Sequence, residues 1–324
     1  MNRVRDRIVE GRTMLIRIPK RWEMPEREAA PESAWMNRRE ILKSAGLVGA
    51  GTLLGAEKDA SASLYPAKRN PAYKLDRPIT EEWAATGYNN FYEFHPTDKQ
   101  AVKDLTGKFK PMPWSFEVKG LVNKPGSFDL DALLKKVTLE ERLYRFRCVE
   151  AWSMAVPWTG FPMAELVKMV DPKPTARFMR FVTVYRPDEM PGIKMASWYK
   201  WPYYEGLRID EAMNPLAMFV TGLYGKPLPI QNGAPFRAIV PWKYGYKSAK
   251  SIATIEFTAK QPGTFWNDSQ PAEYGFYSNV NPDKPHPRWS QASEKVIPTM
   301  ERRPTLPYNG YAEEVSSLYT GKEN

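Results

Sequence analysis

Through the middle of the chain, short runs of alternating apolar and polar residues are broken by clusters of Gly, Pro and Asn, the pattern of half-buried strands joined by turns. From Trp114 to Val122 the alternation predicts a strand, Asn123-Lys-Pro-Gly126 supplies a turn, and Asp129 or Asp131 can cap a helix reaching Lys136. A further strand is predicted from Leu143 to Val149. Pro157-Trp-Thr-Gly-Phe-Pro162 reads as a loop because its prolines and glycine interrupt the pattern, and an amphipathic helix then runs to Val170. Strand-like alternation returns from Arg177 to Tyr185. Gly225 to Arg237 is a turn-rich loop, followed by the apolar run Ala238 to Trp242 and the segment Lys243 to Lys250. Short strands and short helices in this order predict an α+β fold with mixed sheets rather than repeating βαβ units. There is no internal repeat and no low-complexity linker after residue 75.

Composition sharpens this picture. The chain has 324 residues, 42% of them hydrophobic, with 30 prolines and 11 tryptophans, which suits a loop-rich globular body better than a helical bundle. Its first stretch belongs to something else. Asn37-Arg-Arg-Glu-Ile-Leu-Lys43 precedes the Gly/Ala-rich segment Ser44 to Ala56, and Ala60-Ser-Ala62 offers small residues for cleavage, the order of a twin-arginine export signal. The apolar stretch is shorter than the roughly 20 residues a bilayer span needs. Residues 1–62 are therefore read as an N-terminal extension and leader, cleaved near Ala62, and residues 63–324 as a single exported domain. Because this route carries folded proteins, a cofactor inserted before export is expected. The formal net charge of +10 stays positive once the leader is removed, yet no basic block or aromatic-basic repeat favours nucleic acid.

The chemistry-bearing inventory is small. The one cysteine, Cys148, has no internal disulfide partner and is an inert core thiol, an intermolecular partner or a functional thiolate. It follows Arg142-Leu-Tyr-Arg-Phe-Arg147, so a strand delivers it to a cationic neighbourhood where Arg145 or Arg147 is expected to lower its pKa. The two histidines, His95 and His286, stand far apart and in no metal-ligand spacing, which disfavours zinc, and neither an iron–sulfur cluster nor attached haem has its ligands. A soft metal held mainly by a non-protein ligand, with one thiolate from the chain, fits what remains. In the later loop, Arg237, Lys247, Ser248 and Lys250 can provide donors for a phosphate.

Arg145-Phe-Arg-Cys-Val-Glu-Ala-Trp-Ser-Met154, Gly87-Tyr-Asn-Asn-Phe-Tyr-Glu-Phe94, Gln231-Asn-Gly-Ala-Pro235 and Val240-Pro-Trp-Lys-Tyr-Gly-Tyr-Lys247 together resemble the catalytic subunits of periplasmic protein-methionine-sulfoxide reductases. The likeness continues through Glu273 to Asn281, His286 to Gln291 and Asn309 to Tyr311, nearly the whole of the chain after its leader. It implies a sulfite-oxidase-like molybdopterin-binding fold, with Cys148 as ligand to molybdenum. It further implies that Asn89, Tyr92, Glu93, Thr183, Asn232, Arg237 and the segment Ser248-Ala249-Lys250 hold a molybdenum-molybdopterin cofactor, one per chain. Arg237 and Lys250 suit a terminal phosphate, while Asn89, Asn232 and Glu93 suit the donors and acceptors of a pterin. The resemblance also implies methionine sulfoxide in exported proteins as substrate and a haem-containing integral-membrane subunit as electron donor. Arg147 would then steady negative charge near the metal. A sulfite-oxidising enzyme and a cofactor-free binding protein of the same fold are the rival readings, the first disfavoured because little chain remains after Lys250 for an additional domain.

Overall fold

The computed structural model describes residues 64–321; the leader and its cleavage site lie outside them. Among the described residues thirteen strands follow in order, beginning with β1 (Lys68–Arg69), β2 (Ser115–Gly120), β3 (Gly126–Asp129), β4 (Glu140–Arg147) and β5 (Trp152–Pro162). Next come β6 (Phe178–Thr183), β7 (Tyr204–Arg208), β8 (Met218–Leu223) and β9 (Lys226–Pro227). The last are β10 (Arg237–Ile239), β11 (Ile252–Thr258), β12 (Ser293–Val296) and β13 (Glu301–Pro304). The helices between them are short, so the α+β expectation with mixed sheets and short helices holds.

The smaller sheet has five strands in the order β3-β2-β11-β6-β7, with β2 and β11 parallel and its other pairs antiparallel. Its inward positions follow the period of two that a strand dictates: Phe116 and Val118 on β2, Met179 and Phe181 on β6, Ile255 and Phe257 on β11 are all buried. The turn after β2 and the helix Leu130–Leu134, capped by Asp129 accepting from the Ala132 amide at 2.8 Å, lie where the sequence pattern puts them.

The eight-stranded sheet is organised by β5. One edge of β5 pairs with β4 from Ser153 to Gly160; the other pairs with β8 toward its end and with β12 at its start. Here the loop expected at Pro157 to Pro162 is overturned, because these residues complete a strand buried along nearly its whole length. The prolines are tolerated by position. Pro157 lies one residue outside the β8 register and Pro162 ends the strand, so neither needs to donate at the centre of a ladder. Gly160 sits at a register shift where an added Cβ would stand 2.0 Å from the Phe219 carbonyl, so the ladder there admits only glycine. The helix Met163–Val170 follows as expected, burying Met163, Leu166, Val167 and Val170.

The two sheets meet through a stack of phenylalanines. Phe116 of the smaller sheet lies 4.7 Å from Phe236, which lies 4.7 Å from Phe219, and Phe181 meets Phe219 edge-on at 6.1 Å. Each such ring contributes about 1.5–3 kcal/mol by leaving water. This core is the platform on which the ends of β4 and β6, the start of β10 and the turn before β11 come together.

Candidate active site

Cys148 is the first residue beyond β4, in the tight turn to β5: its amide donates to the Trp152 carbonyl at 2.9 Å and its carbonyl accepts from Ala151 at 3.1 Å. Ala151 takes a left-handed φ of 62° to close this turn. The thiol opens into a cavity whose lining also includes Asn89, Tyr92, Glu93, Arg237, Ser248, Ala249 and Lys250. Asn232 and Thr183 stand behind these residues. Asn232 donates to the Asn89 Oδ1 and the Ala85 carbonyl, both at 3.0 Å, and Thr183 donates to the Glu93 Oε1 at 3.2 Å. All ten residues expected from the sequence thus converge on one place, eight at the wall and two supporting it.

Local sequence explains the convergence. Gly192 presses against the segment carrying Tyr92 and Glu93 so closely that a Cβ would meet the Tyr92 carbonyl at 2.2 Å, and Ile193 donates to the Glu93 carbonyl at 3.2 Å. Gly233, at φ +102°, leaves room for the stems of Lys250 and Arg237; a Cβ there would stand 2.8 Å from the Lys250 Cγ and 3.3 Å from the Arg237 Cδ.

The electrostatics are unusual for a protein interior. Arg237 is buried and donates to the carbonyls of Asn232 at 2.6 Å and Ser248 at 3.3 Å, but it makes no ion pair among the described residues. Burial alone pulls its pKa down to about 9. Its charge is eased by the faces of Trp158 and Phe146, 5.0 and 5.7 Å away. Lys250 donates to the Asn90 carbonyl at 2.7 Å, and burial, then the charge of Arg237, bring it down to about 7 against the opposing pull of Glu93. Burial raises the Glu93 carboxyl, with Lys250 and Thr183 acting the other way. Lys247, expected among the anion donors, is instead consumed in a buried ion pair with Glu205.

Burial and the charge of Glu150 push the Cys148 thiol up to about 12, against the Glu150 amide, the charge of Arg147 and Asn90. The expected lowering by Arg145 or Arg147 is therefore corrected. On a strand, alternate residues face opposite ways: Phe146 and Cys148 line the cavity, while Arg145 and Arg147 point to the other side. There Arg145 pairs with Asp76 at 2.9 Å, and Arg147 reaches the Gln291 Oε1 at 2.9 Å, the Thr305 hydroxyl at 3.1 Å and Glu294 at 3.2 Å. The sulfur's close polar neighbour is Asn90, whose amide donates to it at 3.3 Å and to the Glu150 Oε2 at 3.1 Å. Asn90 lay inside the Gly87 to Phe94 motif without being singled out. Tyr274 lay inside the Glu273 to Asn281 stretch without being singled out, and Trp266, which also lines the cavity, carries no local signal that separates it from core aromatics.

A molybdopterin brings a phosphate and a pterin edge of donors and acceptors, and its metal takes a thiolate. The residues fit such a group: among the described residues the buried Arg237 and the half-buried Lys250 lack an ion-pair partner, the Asn232 Oδ1 is buried without a hydrogen-bond donor, and a single thiol stands in the same cavity. Among the described residues no cluster of three His, Cys, Asp or Glu side chains can hold a metal, so most of its ligands must come from elsewhere.

Residues 103–266 match the family described as an oxidoreductase molybdopterin binding domain, which together with this site defines the class: a molybdopterin-binding oxidoreductase. The chain is 49% identical over 314 residues to the protein-methionine-sulfoxide reductase catalytic subunit MsrP of Burkholderia mallei, covering 93% of this chain and 94% of that protein. It is 48% identical over 330 residues to the protein of the same name from Ralstonia nicotianae, covering 96% and 98%. The chain belongs to the family of protein-methionine-sulfoxide reductase catalytic subunits. Among solved structures it is similar to the sulfane dehydrogenase SoxCD of Paracoccus pantotrophus, at a TM-score of 0.45 and 13% identity over 80% of this chain and 64% of that one.

Proposed function

We propose that this protein is the catalytic subunit of a periplasmic reductase that removes oxygen from methionine sulfoxide residues of exported proteins, repairing oxidative damage with electrons from a haem-containing membrane subunit. The observation that carries the reading is the placement, in one cavity, of the Cys148 thiol with Arg237 and Lys250, cations without an ion-pair partner among the described residues. When bound, the molybdenum centre supplies the two-electron oxygen-atom transfer that turns a sulfoxide into a thioether.

In this reading the chain's own side chains bind, orient and shield. Cys148 would hold molybdenum through its sulfur as a thiolate. Arg237 and Lys250, with the Ser248-Ala249 segment, hold the phosphate. Asn89, Asn232 and Glu93 meet the pterin edge, Thr183 fixes the Glu93 carboxyl, and Tyr92 closes the wall. Net reduction of the sulfoxide consumes two electrons and two protons and releases the thioether and water; the bound centre would take up the oxygen, so no side chain has to act on the substrate as a general base. Electrons must be delivered from outside, and no helix among the described residues is long and apolar enough to cross a membrane, which fits a separate membrane subunit as donor. The leader expected in residues 1–62 supports export of the folded, loaded protein.

The test is metal and pterin analysis of protein exported in its native host, paired with reduction of methionine sulfoxide by an artificial electron donor. Stoichiometric molybdenum with turnover is expected. Molybdenum without sulfoxide turnover would move the substrate toward sulfite or another oxyanion, and protein without molybdenum would overturn the reading.

A further inference from the structure

Immediately outside the cofactor cavity lies a second groove of about 930 Å³, and the two share Tyr92, Glu150, Trp266 and Tyr274. The shared aromatics form a collar: Tyr92 and Trp266 meet edge-on at 5.0 Å, and Trp266 and Tyr274 lie 5.3 Å apart. Beyond it the outer groove is walled by Trp198 and Tyr199 and by Arg288 and Trp289.

Trp198 is the feature that needs explaining. It is 71% exposed, the most exposed of the large apolar side chains among the described residues. It continues the aromatic surface of Tyr199, Trp266, Tyr274 and Trp289 in the same groove, and a contiguous apolar surface beside the cavity marks a contact that forms with another molecule. Its backbone is nevertheless well held. The neighbouring Tyr199 packs against Trp266 at 5.5 Å and Phe265 at 5.3 Å, its amide donates to the Ala196 carbonyl at 3.2 Å, and the Trp201 indole donates to the same carbonyl at 2.9 Å. Trp289 is fixed too, stacked on His286 at 3.7 Å with its indole donating to the Val149 carbonyl at 2.8 Å. Rigid aromatic faces on anchored backbone are what a binding subsite presents, because little side-chain entropy is lost when they are covered.

We infer that this outer groove is a subsite for the polypeptide flanking a methionine sulfoxide, with Trp198 as a specificity-determining residue that discriminates protein-bound sulfoxide from small free ones. The inference rests on the proposed function and deepens it. A methionine side chain is long and unbranched, so a sulfoxide passed through the aromatic collar leaves its own backbone and neighbouring residues in the outer groove. There the indole of Trp198 packs on an apolar neighbour, and Arg288 and Gln270 lie at the same groove for peptide carbonyls. Dimethyl sulfoxide has no flanking chain and so nothing to place in the outer groove.

The experiment compares cofactor-loaded wild type and Trp198→Ala on two substrates, dimethyl sulfoxide and an unstructured peptide with one central methionine sulfoxide. A fluorescently labelled copy of the peptide reports binding by anisotropy, independently of turnover. For Trp198→Ala, kcat/KM on the peptide is expected to fall about tenfold through KM, with a matching loss of peptide affinity and unchanged dimethyl sulfoxide kinetics. Trp198→Phe should recover most of the loss. Unchanged peptide KM and affinity would overturn the inference, as would an equal loss on both substrates. If the wild type reduced neither substrate, the proposed function would fail and this inference with it, an outcome distinct from selective failure of the variant.

Discussion

Asn232 donates its side-chain amide to the Asn89 Oδ1 at 3.0 Å, tying the loop before β10 to the segment that carries Tyr92 and Glu93. The same amide reaches the Ala85 carbonyl, and its own Oδ1 remains buried with no protein donor. One side chain therefore joins two halves of the cofactor wall and keeps an acceptor free for a ligand. Asn232→Ala leaves two buried acceptors without their donor, each worth about 1–3 kcal/mol. Chemical denaturation of the cofactor-free variant is expected to show a loss of this order, and the purified protein should retain less pterin. Wild-type stability and wild-type pterin content would contradict the bridging role.

Cys148→Ser preserves volume closely and the turn to β5 depends on backbone bonds at this position, so stability should change by less than about 1 kcal/mol. Sulfoxide turnover should nonetheless fall to background, because an alkoxide is a poor substitute for a thiolate on a soft metal. Circular dichroism melts and steady-state kinetics on the same preparation separate the two effects. A folded variant with wild-type turnover would remove Cys148 from the metal.

Arg147 is next to the thiol in sequence and opposite to it in space. Its guanidinium holds Glu294 on β12 and the side chains of Gln291 and Thr305, stapling the chain after residue 290 to the strand that carries Cys148. Arg147→Met removes one partner of a buried charge pair, a change that costs about 3–5 kcal/mol. Urea denaturation should register that loss, whereas the molybdenum content of the fraction that still folds should match wild type. A variant of native stability with altered sulfoxide turnover would instead restore the expectation that Arg147 acts on the metal site.

That expectation shows what was legible in the sequence and what was not. Alternation located β2, β4 and β6, and the ten residues that the family resemblance implied all stand at the cavity wall or directly behind it. Parity along β4 was equally readable: residues 145 and 147 cannot share a face with 148 on a regular strand, so sequence adjacency misled where periodicity would have served. Pro157 to Pro162 was harder. Proline signals a break, and only the register of β4 and β8 reveals that neither proline is asked for an amide. The pairing of Lys247 with Glu205 joins residues from distant segments, and nothing local in the sequence announces that this lysine is spent while Lys250 is not. Trp266 and Tyr274 were hidden for a different reason, since an aromatic at a cavity wall and one in a core look alike along the chain.

Asp76 sits between two guanidiniums, 2.9 Å from Arg145 and 3.0 Å from Arg77. Burial would raise its carboxyl, but the hydrogen bonds and charges of Arg145 and then Arg77 outweigh this and hold it at about 2. A carboxyl depressed in the folded state adds stability that is complete above the ordinary carboxylate range and disappears as pH falls through the folded value. The contribution of Asp76 is thus lost between about pH 4 and pH 2. Acid unfolding followed by tryptophan fluorescence should show a shallower pH dependence in that window for Asp76→Asn, and an identical slope would mean the pair is broken in solution.

Lys250 gives a slope of the same sign at higher pH, but from a group that costs stability, and it connects stability to the cofactor. Its ammonium is buried beside Arg237 and titrates at about 7 without an anion, well below an exposed lysine. Between that value and roughly 10.4 the unfolded chain binds the proton that the folded, cofactor-free chain has released, so stability rises with pH across the window. Lys250→Met should flatten that rise and leave the cofactor-free protein at least as stable near pH 6, because the change removes a buried charge without an ion-pair partner. The same variant should take up pterin poorly, since an anion in the cavity stabilises the ammonium that methionine lacks. Thermal melts from pH 6 to pH 10 on cofactor-free protein, set beside pterin content after loading, test both halves at once. Loss of stability at every pH with normal pterin uptake would show that Lys250 is there for the fold and not for the anion.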